Sequence, residues 1–257
     1  MVRKSLKQRV CAGDVVSGAM VFEFFSPGMA RIAEVAGCEF LIYDMEHSGL
    51  SIETLKQLHA SARGLSIAPI ARVPRGEYHF LARALDVGMH GVMIPMVESA
   101  SQAKAIAEAT HYPPRGRRGA GFGFAHDDYV AGSVEQKIKR LDARNLVIAQ
   151  IETERGLAAV EEIAAVDGID VLWLGHFDLT NFLGIPGQFD NKLYIDAIKR
   201  IVAAGRKRRK GLGFMTVDPA TTRRYREYGF NMLASGTDPA IMVNGIRTIL
   251  APLGDEK

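Results

Sequence analysis

The sequence has few of the features that mark secreted or membrane-spanning proteins. Its 257 residues include only two cysteines, Cys11 and Cys38, and they form no CxxC pair. This usage fits free thiols in a reducing compartment, and nothing in it requires a disulfide or a cysteine nucleophile. No apolar run approaches the roughly 18 residues that a membrane span requires. The basic start, MVRKSLKQRV, is not followed by a secretory apolar region. We therefore expect a cytoplasmic protein without a membrane partner.

The charge balance argues against a nucleic-acid partner. The formal net charge is only +3, although basic clusters occur at 113–119 (PPRGRRG) and 205–211 (GRKRRKG). The second cluster follows a helix-like stretch, and the helix dipole favours cations at such an end. Aromatic residues are not interleaved with it, so it offers no surface on which bases could stack. The composition, 47% hydrophobic and 24% charged, is typical of an ordinary globular protein.

Apolar strand-like runs alternate with helix-like stretches along the chain. Continuous apolar strands separated by amphipathic helices indicate a parallel sheet, and eight such units in about 250 residues predict a (β/α)₈ barrel. A doubly wound open sheet is the alternative, but no G-x-G-x-x-G motif opens a helix after the first strand. We predict a single barrel domain over residues 1–257 with these strands: SGAMVFEF, FLIYD, IAPIAR, GVMIPM, LVIAQIE, VLWLG, LGFM and NMLASG.

Capping residues predict several helix boundaries. Ser51 is a candidate N-cap, with Glu53 and Thr54 in the first turn. Glycines mark the expected C-termini of four helices: Gly37, Gly64, Gly205 and Gly229. One connection, from about residue 111 to residue 133, is long and rich in glycine, proline and aromatic residues. Loops of this length are usually functional or lie in an interface; a surface excursion with a short helix is the alternative.

Polar residues occur where the predicted strands end. In a barrel, the carboxyl ends of the strands form the catalytic face. The stretch FLIYDMEHSGL (40–50) illustrates this, because an apolar strand is followed at once by Asp44, Glu46 and His47. The remaining polar residues at strand ends are Glu23, Arg72, Gln150, Glu152, His176, Asp178, Ser235 and Asp238. We expect them to meet at one rim of the barrel.

Each of these residues taken alone has a structural explanation. Asp44 and Asp178 could cap turns, and His47 could be an ordinary loop histidine. Arg72 could pair with any rim carboxylate, and Glu152 could answer a helix dipole. Two carboxylates, one imidazole and one guanidinium from four strand ends are harder to explain in this way. The combination favours a functional site.

The same residue types suggest a particular chemistry. Two carboxylates from adjacent strands suit a hard divalent ion such as Mg²⁺ or Mn²⁺, with Co²⁺ and Zn²⁺ as further candidates. Such an ion could bind a 2-oxo acid and stabilise its enolate as a Lewis acid. His47, oriented by Asp44, could transfer a proton, while Arg72 supplies positive charge beside the enolate oxygen. No lysine ends a predicted strand, which argues against a Schiff-base aldolase.

At these positions the sequence resembles the HpcH/HpaI aldolases, a family of metal-dependent pyruvate aldolases. The resemblance implies a (β/α)₈ barrel that cleaves a 4-hydroxy-2-oxo acid reversibly to pyruvate and an aldehyde. Its motifs occur in order along nearly the whole chain: DMEH (44–47), AR (71–72), LDVG (85–88), GVMIPMVESA (91–100), YPPRGRRGAG (112–121), QIET (150–153) and GHFDLT (175–180).

The resemblance also implies the reactive groups. Glu152 and Asp178 would be the metal ligands. His47 and Asp44 would form the acid–base pair, and Arg72 would stabilise the pyruvate enolate.

Further roles implied by the resemblance concern binding and assembly. Gln150 would support the metal through hydrogen bonds, and backbone amides around Gly175 to Asp178, including those of His176 and Phe177, would bind the substrate carboxylate. Asp86 would lie at a subunit boundary near the active site of a homotrimer or homohexamer, which often exchanges C-terminal helices. The long loop would help to shape a neighbour's pocket.

Two departures from the family pattern leave the substrate open. The chain has His176 and Phe177 where the family usually has small or rigid residues, and its first strand lacks the tryptophan often found there. An oxaloacetate decarboxylase, a CoA-thioester lyase of the citryl or malyl type, and a non-catalytic barrel remain alternatives on the same scaffold.

Overall fold

Eight short apolar segments pair side by side as parallel strands, and the last pairs with the first to close a barrel. The structure is a computed structural model and describes residues 4–253. The predicted (β/α)₈ barrel is therefore confirmed. Its strands are β1 (Val16–Val21), β2 (Phe40–Asp44), β3 (Ala68–Arg72), β4 (Gly91–Ile94), β5 (Leu146–Ile151), β6 (Val171–Leu174), β7 (Gly211–Thr216) and β8 (Met232–Thr237).

Helices surround the barrel, and each pair of consecutive strands is joined by at least one of them. They are α1 (Leu6–Ala12), α2 (Met29–Val35), α3 (Ile52–Ala62), α4 (Tyr78–Asp86), α5 (Ala100–Thr110), α6 (Val134–Arg144), α7 (Glu154–Ala158), α8 (Val160–Ala165), α9 (His176–Phe182), α10 (Lys192–Lys207), α11 (Pro219–Tyr228) and α12 (Asp238–Leu250). Within residues 4–253, none of the helices combines the length and the apolar character of a transmembrane segment. Both cysteines are free, as predicted.

Most of the predicted helix boundaries are confirmed. The side chain of Ser51 accepts a hydrogen bond from the N–H of Thr54 at the start of α3. Gly229 ends α11 in the left-handed conformation, with φ of 109°. The prediction that Gly205 ends a helix is wrong, because α10 continues to Lys207. A Cβ atom on Gly205 would lie 2.7 Å from the Leu212 side chain, so this glycine serves close packing of α10 on the barrel.

Side chains of each strand alternate between two cores. Phe40 and Ile42 belong to the cluster that fills the barrel interior, whereas Leu41 and Tyr43 pack in the layer between the sheet and the helices. This alternation follows from the two-residue repeat of a β-strand. Asp44 comes two residues after Ile42, so it continues the inward-facing series at the carboxyl end of β2.

The next strand places a basic group beside that carboxylate by the same rule. Ile70 lies in the barrel interior, and Arg72 follows it by two residues. Asp44 and Arg72 are direct partners in the parallel register of β2 and β3. An apolar interior therefore ends in an ion pair at the carboxyl face.

The long loop after α5 is anchored to the barrel rather than free. It contains a short 3₁₀ helix, Ala125–Asp127. The buried carboxylate of Asp127 accepts hydrogen bonds from Lys137 Nζ of α6 and from the N–H of Gly123, both at 2.7 Å. The Arg118 side chain is also fully buried. The loop thus contains a short helix, as expected for a surface excursion, and the buried Asp127 carboxylate also ties it to α6.

A glycine in β7 makes room for the tryptophan at the top of the barrel interior. A Cβ atom on Gly213 would lie 2.1 Å from Cε3 of Trp173. We expect Gly213→Ala to lower the free energy of unfolding by about 1–3 kcal/mol, because the packed ring has little space to move. Urea unfolding followed by circular dichroism measures this change. Gly49→Ala is the matched control, since no atom lies within 4 Å of its added Cβ; equal stability of the two variants would contradict the packing explanation.

Candidate active site

The carboxyl ends of the strands surround a cavity of about 240 Å³. The cavity brings together most of the residues that the sequence singled out as a site. The predicted residues that line it are His47, Arg72, Gln150, Gly175, His176, Phe177 and Asp178. The others are Met20, Phe22, Trp173, Leu174, Met215 and Thr237. The wall of the cavity thus combines polar groups with apolar side chains.

Arg72 is held in one position by two carboxylates. Its Nε donates a 2.6 Å hydrogen bond to Oδ1 of Asp44, which is fully buried. Its Nη1 lies 3.3 Å from Oε2 of Glu46, and its guanidinium stands over the ring of Phe22 at 5.3 Å. Charged hydrogen bonds in a buried setting are strong and directional. Arg72 is therefore a fixed positive charge facing the cavity.

The expected contact between Asp44 and the imidazole of His47 needs correction. Oδ2 of Asp44 accepts the backbone N–H of His47 at 2.9 Å, and Oδ1 is occupied by Arg72. The carboxylate nearest the imidazole is Glu46, whose Oε2 lies 3.6 Å from Nε2 of His47. Asp44 shapes the turn that carries His47, while Glu46 faces its ring.

Glu152 is a buried carboxylate held from two sides. It accepts the backbone N–H of Met96 at 2.7 Å and a hydrogen bond from the side-chain amide of Gln150. A Cβ atom on Gly175 would lie only 2.4 Å from Oε2 of Glu152. Glycine is required at this position because the backbone passes so close to the carboxylate. Gly175 then leads directly into α9, which carries Asp178 in its first turn.

The carboxyl groups at this end of the barrel repel one another. Burial raises the pKa of Glu152 to about 7 against the hydrogen bonds from Gln150 and Met96, and Glu46 and Asp178 add to the rise. Burial also raises the pKa of Glu46 to about 7, although Arg72 partly offsets it. Bringing a cation among these groups would relieve the repulsion.

Two of these carboxylates fit a metal ion. Within residues 4–253, no group of three or more His, Cys, Asp or Glu side chains is arranged to hold a metal by itself. The two metal ligands predicted from the sequence, Glu152 and Asp178, lie near enough for Asp178 to raise the pKa of Glu152, and water and substrate would have to complete a shell on them. Hard divalent ions are commonly bound in this way. Gln150 leaves its buried Oε1 without a hydrogen-bond partner among the described residues, and a bound water could fill that place.

His176 and Phe177 extend an aromatic cluster to the cavity. The ring of His176 lies 4.3 Å from that of Phe177, 5.5 Å from Phe189 and 4.9 Å from Phe214, measured between centroids. Burial lowers the pKa of His176 to about 4, so the ring is neutral near pH 7. Phe177 remains 55% exposed at the rim. These two residues contribute aromatic surface rather than charge.

The chain alone does not bring Asp86 into the cavity. Asp86 ends α4, where its Oδ1 accepts a 2.6 Å hydrogen bond from Nη2 of Arg118. Its side chain is about half exposed while that of Arg118 is fully buried. A role in catalysis would require the active site of a second subunit, and it stays a prediction.

Glu46 has a contact that the sequence did not predict, and Asp238 has a structural role at the rim where the sequence placed it. Glu46 lies in the bend that follows β2, so the two-residue repeat of the strand does not fix the direction of its side chain. The carboxylate of Asp238 accepts the backbone N–H groups of Phe22, Glu23 and Phe24 at 2.8, 3.1 and 2.7 Å. Asp238, which follows β8, therefore fixes the backbone of the residues that follow β1. The side chain of Glu23 itself is exposed.

Residues 19–245 match the family described as HpcH/HpaI aldolase/citrate lyase. The chain belongs to this family.

Similar proteins support the HpcH/HpaI assignment over nearly the whole chain. A hydroxypyruvate/pyruvate aldolase of Roseovarius nubinhibens is 33% identical over 251 residues, covering 96% of this chain and 95% of that protein. A 2-keto-3-deoxy-L-rhamnonate aldolase of Klebsiella pneumoniae is 35% identical and covers 87% of this chain and 83% of that protein. The crystal structure of an HpcH/HpaI aldolase from Desulfitobacterium hafniense superimposes with a TM-score of 0.90 at 28% identity, covering 96% and 97% of the two chains.

These relatives also decide the class of reaction. The chain is an aldolase, an enzyme that cleaves carbon–carbon bonds. The prediction made from the sequence is confirmed at this level. The decarboxylase, the thioester lyase and the non-catalytic barrel are not favoured.

The raised pKa of Glu152 predicts a pH-dependent stability in protein treated with EDTA. The folded-state pKa, about 7, exceeds the ordinary value of 4.5. The contribution of protonated Glu152 to the free energy of unfolding is therefore fully present below pH 4.5, and it is lost as the pH rises through 7. The wild type should lose up to about 3 kcal/mol between these limits through this group. Glu152→Gln should flatten the pH dependence of urea unfolding. The exposed Glu154 provides the control Glu154→Gln; identical pH profiles for Glu152→Gln and the wild type would contradict the assignment.

Proposed function

We propose that this protein is a divalent-metal-dependent aldolase that cleaves a 4-hydroxy-2-oxo acid reversibly to pyruvate and an aldehyde. The observation that carries the proposal is a clamped guanidinium and two carboxylates at one end of the barrel: Arg72 and Asp178 line the cavity, and Glu152 contacts its lining residues Gln150 and Gly175. Arg72 is fixed by Asp44 at 2.6 Å, while Glu152 follows β5 and Asp178 lies in the first turn of α9, after β6. This arrangement suits a substrate that develops negative charge on an oxygen between the guanidinium and a cation held by the two carboxylates.

Glu152 and Asp178 would hold the metal, and Gln150 would keep the Glu152 carboxylate in place through its side-chain amide. Aldolases of this family generally use a divalent metal. Mg²⁺ or Mn²⁺ suits two carboxylate ligands, and Co²⁺ or Zn²⁺ could replace them. When bound, the ion would supply Lewis-acid stabilisation of the negative charge that develops on the 2-oxo acid.

The chain's own residues then have separate tasks. Arg72 faces the developing oxyanion with a charge that needs no reorganisation during the reaction. The His47 imidazole, 58% exposed at the rim, moves a proton to or from the substrate. Glu46 lies 3.6 Å from Nε2 of that ring and holds it towards the cavity. Asp44 keeps both Arg72 and the backbone of His47 in position.

The start of α9 would receive the substrate carboxylate. Gly175, the N-cap residue, provides no side-chain hydrogen bond to the first turn. The backbone N–H groups that follow, at His176 and Phe177, are therefore available to an anion, which helix starts favour. This region lines the cavity beside Asp178.

The proposal includes a homotrimer or homohexamer with exchanged C-terminal helices. Helix α12 is apolar, yet of its residues only Asp238 is buried. Its exposed side chains include Ile241, Met242, Val243, Ile246, Ile249 and Leu250, at 44–78% exposure. A contiguous apolar surface of this kind is unfavourable in water, and a second copy would cover it. Free thiols at both cysteines support a cytoplasmic location.

The enolate half-reaction is tested by deuterium exchange of the pyruvate methyl protons, followed by NMR. EDTA-treated enzyme should exchange slowly, and adding Mg²⁺, Mn²⁺ or Co²⁺ should restore the rate. We expect Arg72→Ala to reduce metal-dependent exchange by about 100-fold or more, because the fixed charge beside the oxyanion is lost.

Arg75→Ala is the matched control, since Arg75 is an exposed arginine only three residues away. No exchange with any metal, in protein that calorimetry shows to bind the ion, would contradict the proposed reaction. Near-normal exchange in Arg72→Ala would remove Arg72 from the mechanism.

If the proposed assembly is right, light scattering coupled to size-exclusion chromatography should give the molar mass of an oligomer, and that mass should not change with protein concentration. The double substitution of Ile246→Glu and Ile249→Glu should shift the protein towards monomer, because it places charges on the covered face of α12. Leu193→Glu, at a residue that is 55% exposed on α10, should leave the mass unchanged. A monomeric wild type would overturn the proposed assembly.

A further inference from the structure

We infer that Asp238 is a positioning residue of this site, which acts through the Phe22 ring on the guanidinium of Arg72. This role rests on the proposed function, in which Arg72 faces the developing oxyanion. It adds to the two carboxylates that hold Arg72 a third contact, which begins at the last strand of the barrel and reaches the third strand through the residues that follow the first.

A bulge at the carboxyl end of β8 brings Asp238 to the residues that follow β1. In the parallel register of the two strands, Met20 pairs with Thr237, and the preceding residue of β8, Gly236, has no partner in β1. Bulges of this kind occur at barrel rims, where they change the direction of side chains. Asp238 comes next in the chain, and its carboxylate is buried at the rim.

Both oxygens of the Asp238 carboxylate hold the backbone that follows β1. Oδ1 accepts the N–H of Phe22 at 2.8 Å, and Oδ2 accepts the N–H groups of Glu23 and Phe24 at 3.1 and 2.7 Å. Hydrogen bonds to an ionised carboxylate are stronger than those between neutral groups. An asparagine has only one acceptor oxygen, and its NH₂ group would face an N–H donor in the place of the other. Asp238→Asn should therefore release part of this segment.

The Phe22 ring connects this segment with the active site. Met20, two residues earlier, belongs to the cluster in the barrel interior, and the Phe22 ring packs against the same cluster. The ring lines the cavity, and the Arg72 guanidinium lies over it, with 5.3 Å between Cζ and the ring centroid. Cations within about 6 Å of an aromatic centroid are attracted to the face of the ring. The backbone that Asp238 holds thus carries a ring that contacts Arg72.

The ring constrains the guanidinium in a way that the carboxylates do not. Asp44 accepts a hydrogen bond from Nε at 2.6 Å, and Glu46 lies 3.3 Å from Nη1, so both act on nitrogen atoms. The Phe22 ring instead faces Cζ, at the centre of the group, and its apolar surface keeps water from that side. A charge that is fixed beforehand stabilises an oxyanion best, and the oxygen gains its charge only in the transition state. Loss of the ring should therefore slow enolate formation more than it weakens pyruvate binding.

The test measures exchange of the pyruvate methyl protons by NMR, with Mg²⁺ present and over a range of pyruvate concentrations. Phe22→Leu should lower kcat about fivefold and leave KM within about twofold of the wild-type value. Phe22→Tyr keeps the aromatic face and should restore most of the rate. Phe24→Leu is the matched control and should have no effect on kcat. Phe24 is held by the same carboxylate, but it is not among the described residues that line the cavity.

A double-mutant cycle decides whether Asp238 acts through the ring. Asp238→Asn should also lower kcat about fivefold, and combining it with Phe22→Leu should give no further loss, because both changes remove the same contact. Asp218→Asn, at the N-cap of α11, should leave kcat unchanged. Independent effects would multiply to about 25-fold in the double variant, and that result would overturn the proposed role, as would a normal kcat for Asp238→Asn.

A second variant keeps the comparison possible if Asp238→Asn does not fold. Asp238→Glu retains both oxygens and the charge but moves them by one methylene group, so the segment that carries Phe22 should shift. It should lower kcat in the same direction, and again without additivity to Phe22→Leu. Circular dichroism and urea unfolding establish that each compared variant is folded under the conditions of the exchange measurement.

Crystallography of the wild type and Asp238→Asn separates this inference from the proposed function. The Phe22 ring should lie beside the Arg72 guanidinium in the wild type and should be displaced in the variant. A ring that stays in place would overturn the positioning role, whatever the rate of exchange. Absence of exchange in the wild type, in protein that binds the metal, would instead reject the pyruvate aldolase on which the inference rests.

Discussion

The buried pair of Asp44 and Arg72 is the interaction on which the site depends. Both residues end inward-facing series of the barrel interior, and they are direct register partners across β2 and β3. The pair sets the direction of the guanidinium, and the second oxygen of Asp44 fixes the backbone of His47. Loss of either partner would leave an uncompensated buried charge, which is far more unfavourable than loss of a surface pair.

The surrounding carboxyl groups show how stability and function compete here. Burial raises the pKa values of Glu46 and Glu152 to about 7, so the folded protein disfavours their charged forms. An apolar replacement would pack more easily at such positions. Their retention is understandable if a bound cation compensates the charge, and strain of this kind is characteristic of active sites. Gly175 also contributes to this arrangement, because its lack of a side chain lets the backbone approach the Glu152 carboxylate.

Two features of the chain lie outside the barrel interior and face solvent. Helix α12 presents an apolar surface to water although it follows the last strand of the barrel. Asp86, at the end of α4, is paired with Arg118 away from the cavity of its own chain. Both features concern surfaces rather than the barrel interior, and both are consistent with a site that is finished by assembly.

Local periodicity along the chain is enough to predict the barrel, its strands and the residue types at the rim. FLIYD predicted β2 at its observed bounds, Phe40–Asp44, since alternation along a strand needs no knowledge of its neighbours. Which rim groups touch depends instead on how the segments align in the folded barrel. The parallel register of β2 and β3 pairs Arg72 with Asp44, and the bend after β2 turns the Glu46 carboxylate towards the His47 ring. Neither contact follows from the residue pattern of one strand. The same holds for Gly205, whose place inside α10 follows from packing on Leu212 and not from its own conformational preference.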